Sequence, residues 1–394
     1  MSTGTNDAPG DHPSIGDVVV MDASELDRLI ARLVALGYEV KGPTLADGAI
    51  VPGRIESCAD LPRGVHDAQA PATYRIEATD DGELFGWAVA AQSWKPEFFA
   101  STQVLWRSEV VADTMVFTAP TRSATPVAIV GARPCDVVAL GVLDRVRGQG
   151  EHRDRPYVAA RERSFVAVVE CATPASTCFC PSTDSGPGIE EGFDLAMTEL
   201  LDERGHRFVM RCGSARGAEV LASLETRAAT GDDLAARSYL LERAANAISR
   251  SLPSDGLPAL LARNIAHPRW EDVAERCLSC GNCTLVCPTC FCCDVHDTTD
   301  LSGAVERRRT WSSCFDLEHS YVHGGAVRSS TVSRYRQWMT HKLSTWWDQF
   351  DVAGCVGCGR CIVWCPVGID ITDEAWAIAR SDGVGAAHGA REAP

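Results

Sequence analysis

Two stretches of this chain repeat one spacing: "CLSCGNCTLVCPTCFCC" at 277 to 293 and "CVGCGRCIVWCP" at 355 to 366. Both read C-x2-C-x2-C-x3-C-P. The first uses Cys277, Cys280, Cys283 and Cys287, followed by Pro288; the second uses Cys355, Cys358, Cys361 and Cys365, followed by Pro366. This is the bacterial ferredoxin run for [4Fe–4S] ligation. Three thiolates spaced by two residues wrap three corners of a cube from one tight turn. The fourth ligates the neighbouring cube, and the proline turns the chain away. The expected ligation is therefore crossed. One cluster takes Cys277, Cys280, Cys283 and Cys365; the other takes Cys355, Cys358, Cys361 and Cys287.

A buried anionic cube needs hydrogen-bond donors or cations around it. Gly281, Gly357 and Gly359 permit positive φ and bring N–H groups close to sulfur. Arg276, Arg360 and Lys342 are candidate cations, although a solvated surface charge is the plainer reading of any one of them. Structural zinc is the rival centre. It draws tetrahedral ligands from separate C-x2-C pairs, and two evenly spaced triplets closed by C-P fit it badly.

The chain has 394 residues, enough for two or three cores. Its 18 cysteines lack an accompanying export signal, since "MSTGTNDAPGDHPS" is polar throughout. A cytoplasmic, reducing location is expected, where cysteine binds metal or reacts rather than pairing. A net charge of −16 argues against nucleic acid or an anionic membrane as partner. No apolar run reaches bilayer length.

Along the chain, 1–16 reads as a disordered leader. Leu26, Leu29, Ile30, Leu33 and Val34 form a helical stripe closed by Gly37. "YEVKGPTLADGAIV" and "TYRIEATDDGELFGWAVA" read as short alternating segments, the "DDG" marking a hairpin. "VAIVGA", "RPCDVVALGVLDRV" and "SFVAVVEC" predict strand, helix, strand: a βαβ unit within an α/β domain over 17–250. Residues 192–212 read as a hairpin around "DERG", and 214–250 as helical. "SLPSDGLP" at 251–258 is the expected linker. Beyond it β-patterning fades, giving a dicluster domain over 259–375 and a tail over 376–394. The fold class is α+β.

The βαβ reading puts Cys135 and Cys171 past the carboxyl ends of parallel strands, where open α/β sheets place ligands. Cys178 and Cys180 follow in a loop. These four are a candidate third [4Fe–4S] site or a scatter of small buried hydrophobes. Cys290, Cys292 and Cys314 form a looser group of candidate additional ligands, or line the core. Cys58, Cys212 and Cys293 carry no pattern. His296, His319, His323 and His341 read as hydrogen-bonded core or surface residues. Trp338, Trp346, Trp347 and Trp364 read as shielding and core. No GxGxxG after a strand, no P-loop and no G-x-S-x-G is found. Redox clusters without a substrate or flavin motif describe a non-catalytic wire in a larger oxidoreductase. A zinc-stabilised assembly or redox-sensing module is the rival class.

"GARPCDVVAL", "TCFCPSTDSGPGIEEGFDLAMTEL", "CLSCGNCTLVCPTCFC", "SRYRQWMTHKLSTWWDQF" and "CVGCGRCIVWCPVGIDIT" together resemble the β subunit of soluble [NiFe] hydrogenases of the sulfhydrogenase type. The corresponding iron–sulfur subunit of anaerobic sulfite reductases shares the layout and is the alternative. The resemblance implies an electron-transfer role in an NAD(P)-linked complex. It implies a partner subunit that carries flavin (FAD) and handles NAD(P)H, and [NiFe] small and large subunits. It also implies an α-helical-ferredoxin-like dicluster fold, which the long insert between Cys287 and Cys355 suits, and a third cluster at Cys135, Cys171, Cys178 and Cys180.

Overall fold

A computed structural model of the chain describes residues 13–119, 125–253 and 256–383. Most of the expected leader and the end of the expected tail lie outside these. Where they are described, both are ordered. Gly16 N donates to Cys212 O at 2.9 Å, and the helix Ile371–Ser381 runs on past 376.

Four parallel strands form the centre of an eight-stranded sheet: Glu39–Ala46, Val127–Ala132, Phe165–Val169 and Leu195–Asp202. Antiparallel strands extend it on both sides. Val127–Ala132 and Phe165–Val169 are apolar throughout because both sheet faces are covered, and their side chains alternate between two cores. Ala128, Val130, Ala167 and Val169 pack with Leu26, Leu29, Ile30 and Leu33 of the helix Leu26–Ala35. Ile129, Val166 and Val168 pack with Leu140, Leu143 and Tyr157 on the other face. Val34, expected in the helical stripe, is exposed instead.

The βαβ unit is present, with the helix Pro134–Gly148 opening directly after the first strand. Gly131 makes the exit: φ is +96°, the register slips between Val130 and Ala132, and a Cβ there would meet Phe85 at 2.8 Å. The bulge aims Arg133, Cys135 and Asp136 at the carboxyl edge of the sheet. Cys171 sits at that same edge, its N–H donating to Pro187 O at 3.0 Å.

The "DERG" hairpin forms as Leu195–Asp202 against Gly205–Cys212, but the "DDG" hairpin does not. Thr73–Ala78 pairs backward with Val65–Ala70. After Gly82 the chain becomes a buried loop, whose Leu84 and Phe85 amides donate to the Glu199 carboxylate at 2.7 and 2.8 Å. A buried carboxylate takes the bonds a strand ladder would have used.

β-structure also returns after 259. Cys293–Thr299 and Val305–Trp311 form a hairpin whose second strand pairs with Thr102–Val111. One four-stranded sheet is thus shared by the two halves, so the expected division at 251–258 does not part them. The helix Leu257–Arg263 starts inside the expected linker. The remaining helices enclose an aromatic core of Trp270, Phe315, Tyr335 and Trp338, against which Cys277, Cys283, Cys355, Cys361 and Cys365 pack. No helix among the described residues is long and apolar enough to cross a membrane.

Candidate metal centre

The two cysteine runs adopt one backbone design. In the first, Ser279 has φ +52° and Gly281 φ +75°, and a short helix, Asn282–Leu285, follows. In the second, Gly357 has φ +59° and Gly359 φ +75°, followed by Arg360–Val363. The first left-handed residue turns its N–H toward the opening sulfur. Ser279 N donates to Cys277 Sγ at 3.4 Å, and the Gly357 amide likewise bonds Cys355. The sequence does not reveal Ser279 as left-handed, because a serine can hold the position where there is room. Gly357 has none, since a Cβ would lie 2.5 Å from Cys180 N. The two short helices pack on each other, and Asn282 Nδ2 donates to Trp364 O at 3.2 Å across the pair.

This packing exchanges the fourth cysteines. Cys365 lies beside Cys277 and Cys283, with Cys280 next to them, lining a small cleft walled by Phe315, Tyr335 and Trp338. Cys287 neighbours Cys355, Cys358 and Cys361. Each crossing sulfur has its own donors. Ile369 N reaches Cys365 Sγ at 3.3 Å. Lys342 Nζ reaches Cys287 Sγ at 3.3 Å, and the Thr289 hydroxyl lies 3.1 Å from the same sulfur. Of the three candidate cations, Lys342 and Arg360 are buried, 2% and 1% exposed. The surface reading therefore holds only for Arg276, which pairs with Glu374 at 2.7 Å.

Burial pushes the thiols of Cys283, Cys355, Cys358 and Cys361 up, that of Cys355 to about 12. Without metal these sulfurs stay protonated, and loading a cluster must release their protons. Cys287 is the exception. A hydrogen bond from Cys290, with the charge of Lys342 behind it, holds its thiol well below the ordinary value despite burial.

The N-terminal four are all buried and lie against the second run. Cys178 and Cys180 neighbour Cys171 and Cys358, and Cys135 neighbours Cys180 and Cys358. Phe179 N donates to Gly357 O at 2.8 Å, and Ser185 Oγ to Val356 O at 2.6 Å. Between the sets runs a buried ion pair, Arg360 Nη2 to Asp136 Oδ1 at 2.9 Å. Burial alone would weaken the Arg360 cation, but Asp136, Cys358 and Cys135 hold it firmly charged.

Gly359→Ala tests this docking. A methyl there would sit 2.6 Å from Thr177 O with φ left-handed, whereas at Gly281 only the movable Ser313 hydroxyl comes within 3.3 Å. Left-handed strain costs about 1–2 kcal/mol at either site. Gly359→Ala adds a backbone clash, so its unfolding midpoint and its iron per chain should fall below those of Gly281→Ala.

Among the described residues, three or more His, Cys or acidic ligand atoms converge within 4.8 Å only at His66, Asp81 and Glu83. None of the cysteine sets closes that far. A single zinc, with Zn–S near 2.3 Å, would draw its sulfurs to within about 4 Å of each other. The wider spacing, the backbone donors at sulfur, the buried cations and the aromatic-walled cleft fit [4Fe–4S] clusters.

Sequence reasoning missed two nearby residues. His319 neighbours Cys292, and Lys95, 3% exposed, lies among the sulfurs of Cys290, Cys287 and Cys292. Neither stands at a fixed spacing from a cysteine, so no motif could reveal them.

Residues 276–369 match the family described as "4Fe-4S dicluster domain". Sulfhydrogenase 2 subunit beta of Pyrococcus furiosus is 33% identical over 243 residues, which is 61% of this chain and 70% of that protein. Cysteine runs, fold and likeness converge: the chain belongs to the iron–sulfur hydrogenase β subunits, carriers of [4Fe–4S] clusters that serve in electron transfer.

Proposed function

We propose that the chain relays electrons within a cytoplasmic [NiFe] hydrogenase complex, between a flavin subunit that handles NAD(P)H and the hydrogenase small and large subunits. The observation that carries this reading is the succession of cysteine sets. Cys280 of the first set is exposed, with exposed Leu278 and Val367 nearby. Cys283 neighbours Cys287 of the second set, and Cys358 of the second neighbours the buried N-terminal set. A solvent-facing end beside apolar side chains suits contact with a partner protein.

Bound clusters supply one-electron transfer at potentials set by charge, hydrogen bonding and solvent exposure. The residues here act on those three levers. The amides of Ser279, Gly357 and Ile369 donate toward sulfur. Lys342 and Arg360 place positive charge beside the second set. Trp338, Tyr335 and Phe315 wall the inner side of the first, while Cys280 leaves its outer side open to solvent. The proposed ligands are Cys277, Cys280, Cys283 and Cys365; Cys355, Cys358, Cys361 and Cys287; and, for a third cluster, Cys135, Cys171, Cys178 and Cys180. The likeness to a sulfhydrogenase subunit supports hydrogenase over sulfite reduction.

The test is anaerobic capture of the native complex through this chain, followed by metal and cofactor analysis. Nickel and flavin should copurify, and hydrogen should reduce the clusters. Sirohaem without nickel would transfer the relay to sulfite reduction; zinc without iron would end it. Cys171→Ser should remove about four irons per chain and one EPR signal, leaving those of both ferredoxin-type sets; an unchanged spectrum retires the third cluster.

A further inference from the structure

We propose that Cys290, Cys292, Cys314 and His319 hold an additional iron–sulfur centre, with three thiolate corners and one imidazole corner. This goes beyond the relay sets above and shares no ligand with them.

The base of the 293–311 hairpin assembles the site. Cys293 pairs with Trp311, and one step further Ser312 N donates to Cys292 O at 3.0 Å. Cys292 is thereby set opposite the Ser312–Asp316 turn. That turn is closed twice, by Ser313 N donating to Asp316 Oδ2 at 2.9 Å and by Asp316 N donating to Ser313 O at 2.9 Å. It presents Cys314, which lies near enough to Cys292 for the two thiols to act on each other. His319 arrives on the single helical turn Glu318–Ser320 and neighbours Cys292 from another side.

The histidine is oriented as a ligand would be. Its Nδ1 lies 3.1 Å from Ser312 Oγ and 3.5 Å from Asp294 Oδ1. A metal-binding imidazole typically directs one ring nitrogen to a hydroxyl, carbonyl or carboxylate, which leaves the other for the metal. Nδ1 is so engaged here, and Nε2 remains.

Charge balance is the second, independent observation. Lys95 and Lys342 are buried side by side, 3% and 2% exposed. Lys95 Nζ donates to Cys290 O at 3.1 Å and sits 3.9 Å over the Trp311 ring. Lys342 Nζ lies 3.6 Å from Cys290 Sγ. The negative groups acting on this pair are sulfurs: Cys287, Cys290 and Cys292 on Lys95, and Cys287, Cys290 and Cys355 on Lys342. Burial presses Lys95 toward its neutral form, so keeping both as ammonium groups takes more than one compensating anion. Cys287 and Cys355 belong to the second set, and metal-bound thiolates at Cys290 and Cys292 would supply the rest.

A cluster suits the site better than a single ion. Cys292, Cys314 and His319 do not bring three ligand atoms within 4.8 Å of one another, just as the ferredoxin-type sets do not. Cys314 also neighbours Cys283, so the centre would border the first set.

The test uses the whole chain in its native complex, purified without oxygen. Cys292→Ser/Cys314→Ser should lose about four irons per chain while the EPR signals of both ferredoxin-type sets persist, which doubles as evidence of folding. His319→Cys should keep that iron but abolish a strongly coupled ¹⁴N signal in pulsed EPR of the reduced protein. Unchanged iron in the double variant overturns the proposal. So does loss of one zinc instead of iron, or absence of ¹⁴N coupling in the unaltered protein. Failure of the relay reading looks different, because iron would then be missing at the ferredoxin-type sets in every sample.

Discussion

Cys277→Ser combined with Cys365→Ser should cost no more iron than either change alone, whereas Cys277→Ser combined with Cys287→Ser should cost twice as much. The first pair shares one proposed cube and the second pair spans two. Each cube holds about four irons, so the expected losses are about four and about eight per chain. The prediction rests on the short helices Asn282–Leu285 and Arg360–Val363, which pack together and carry each run's last cysteine into the other's set. The measurement is iron per chain on anaerobic protein, with EPR of the reduced state. If each run closed on itself, the pattern would invert, and Cys277 with Cys287 would cost only one cube.

Arg360→Met should give the largest loss of stability from a residue that ligates nothing. It leaves Asp136, 3% exposed, without the guanidinium 2.9 Å away. It also removes the bond from Arg360 Nε to Ala90 O at 2.8 Å. Breaking one partner of a buried ion pair costs about 3–5 kcal/mol, because the other charge stays buried and uncompensated. Adding Asp136→Asn should recover part of that loss, and a double-mutant cycle isolates the coupling. The control is Arg307→Ala. Its pair with Asp297 at 2.7 Å is half-exposed on both sides and should be worth under about 1 kcal/mol. The unfolding midpoint under argon reads all four variants. Equal shifts for Arg360→Met and Arg307→Ala would mean the buried pair does not brace the two halves.

The sequence was most legible where chemistry is local. A cubane's corners demand a fixed spacing, so both cysteine runs could be read from the chain alone, and crossed ligation could be expected from them. Buried parallel strands demand unbroken apolar runs, so "VAIVGA" and "FVAVV" announced the βαβ unit and the edge where Cys135 and Cys171 sit. The helix Leu26–Ala35 announced itself by its 3.6-residue stripe.

What escaped depended on partners distant in the chain. "DDG" fails as a hairpin because Glu199, more than a hundred residues away, binds the amides of Leu84 and Phe85. The polar, charge-rich strands Cys293–Thr299 and Val305–Trp311 form because Thr102–Val111 offers them an edge; without it their composition reads as loop. Lys342 and Arg360 read as surface charges because sequence does not register the sulfurs and the carboxylate that permit their burial.

By itself, then, the amino-acid order determined the iron–sulfur chemistry, the form of each cysteine run and the parallel core, since each is governed by spacing over a few residues. Only the tertiary structure decided that both halves share a sheet, that the N-terminal cysteines face Cys358, and that His319, Lys95 and Lys342 gather at the remaining sulfurs. Those contacts rest on burial and charge compensation between distant segments, and such terms leave no periodic mark in a sequence.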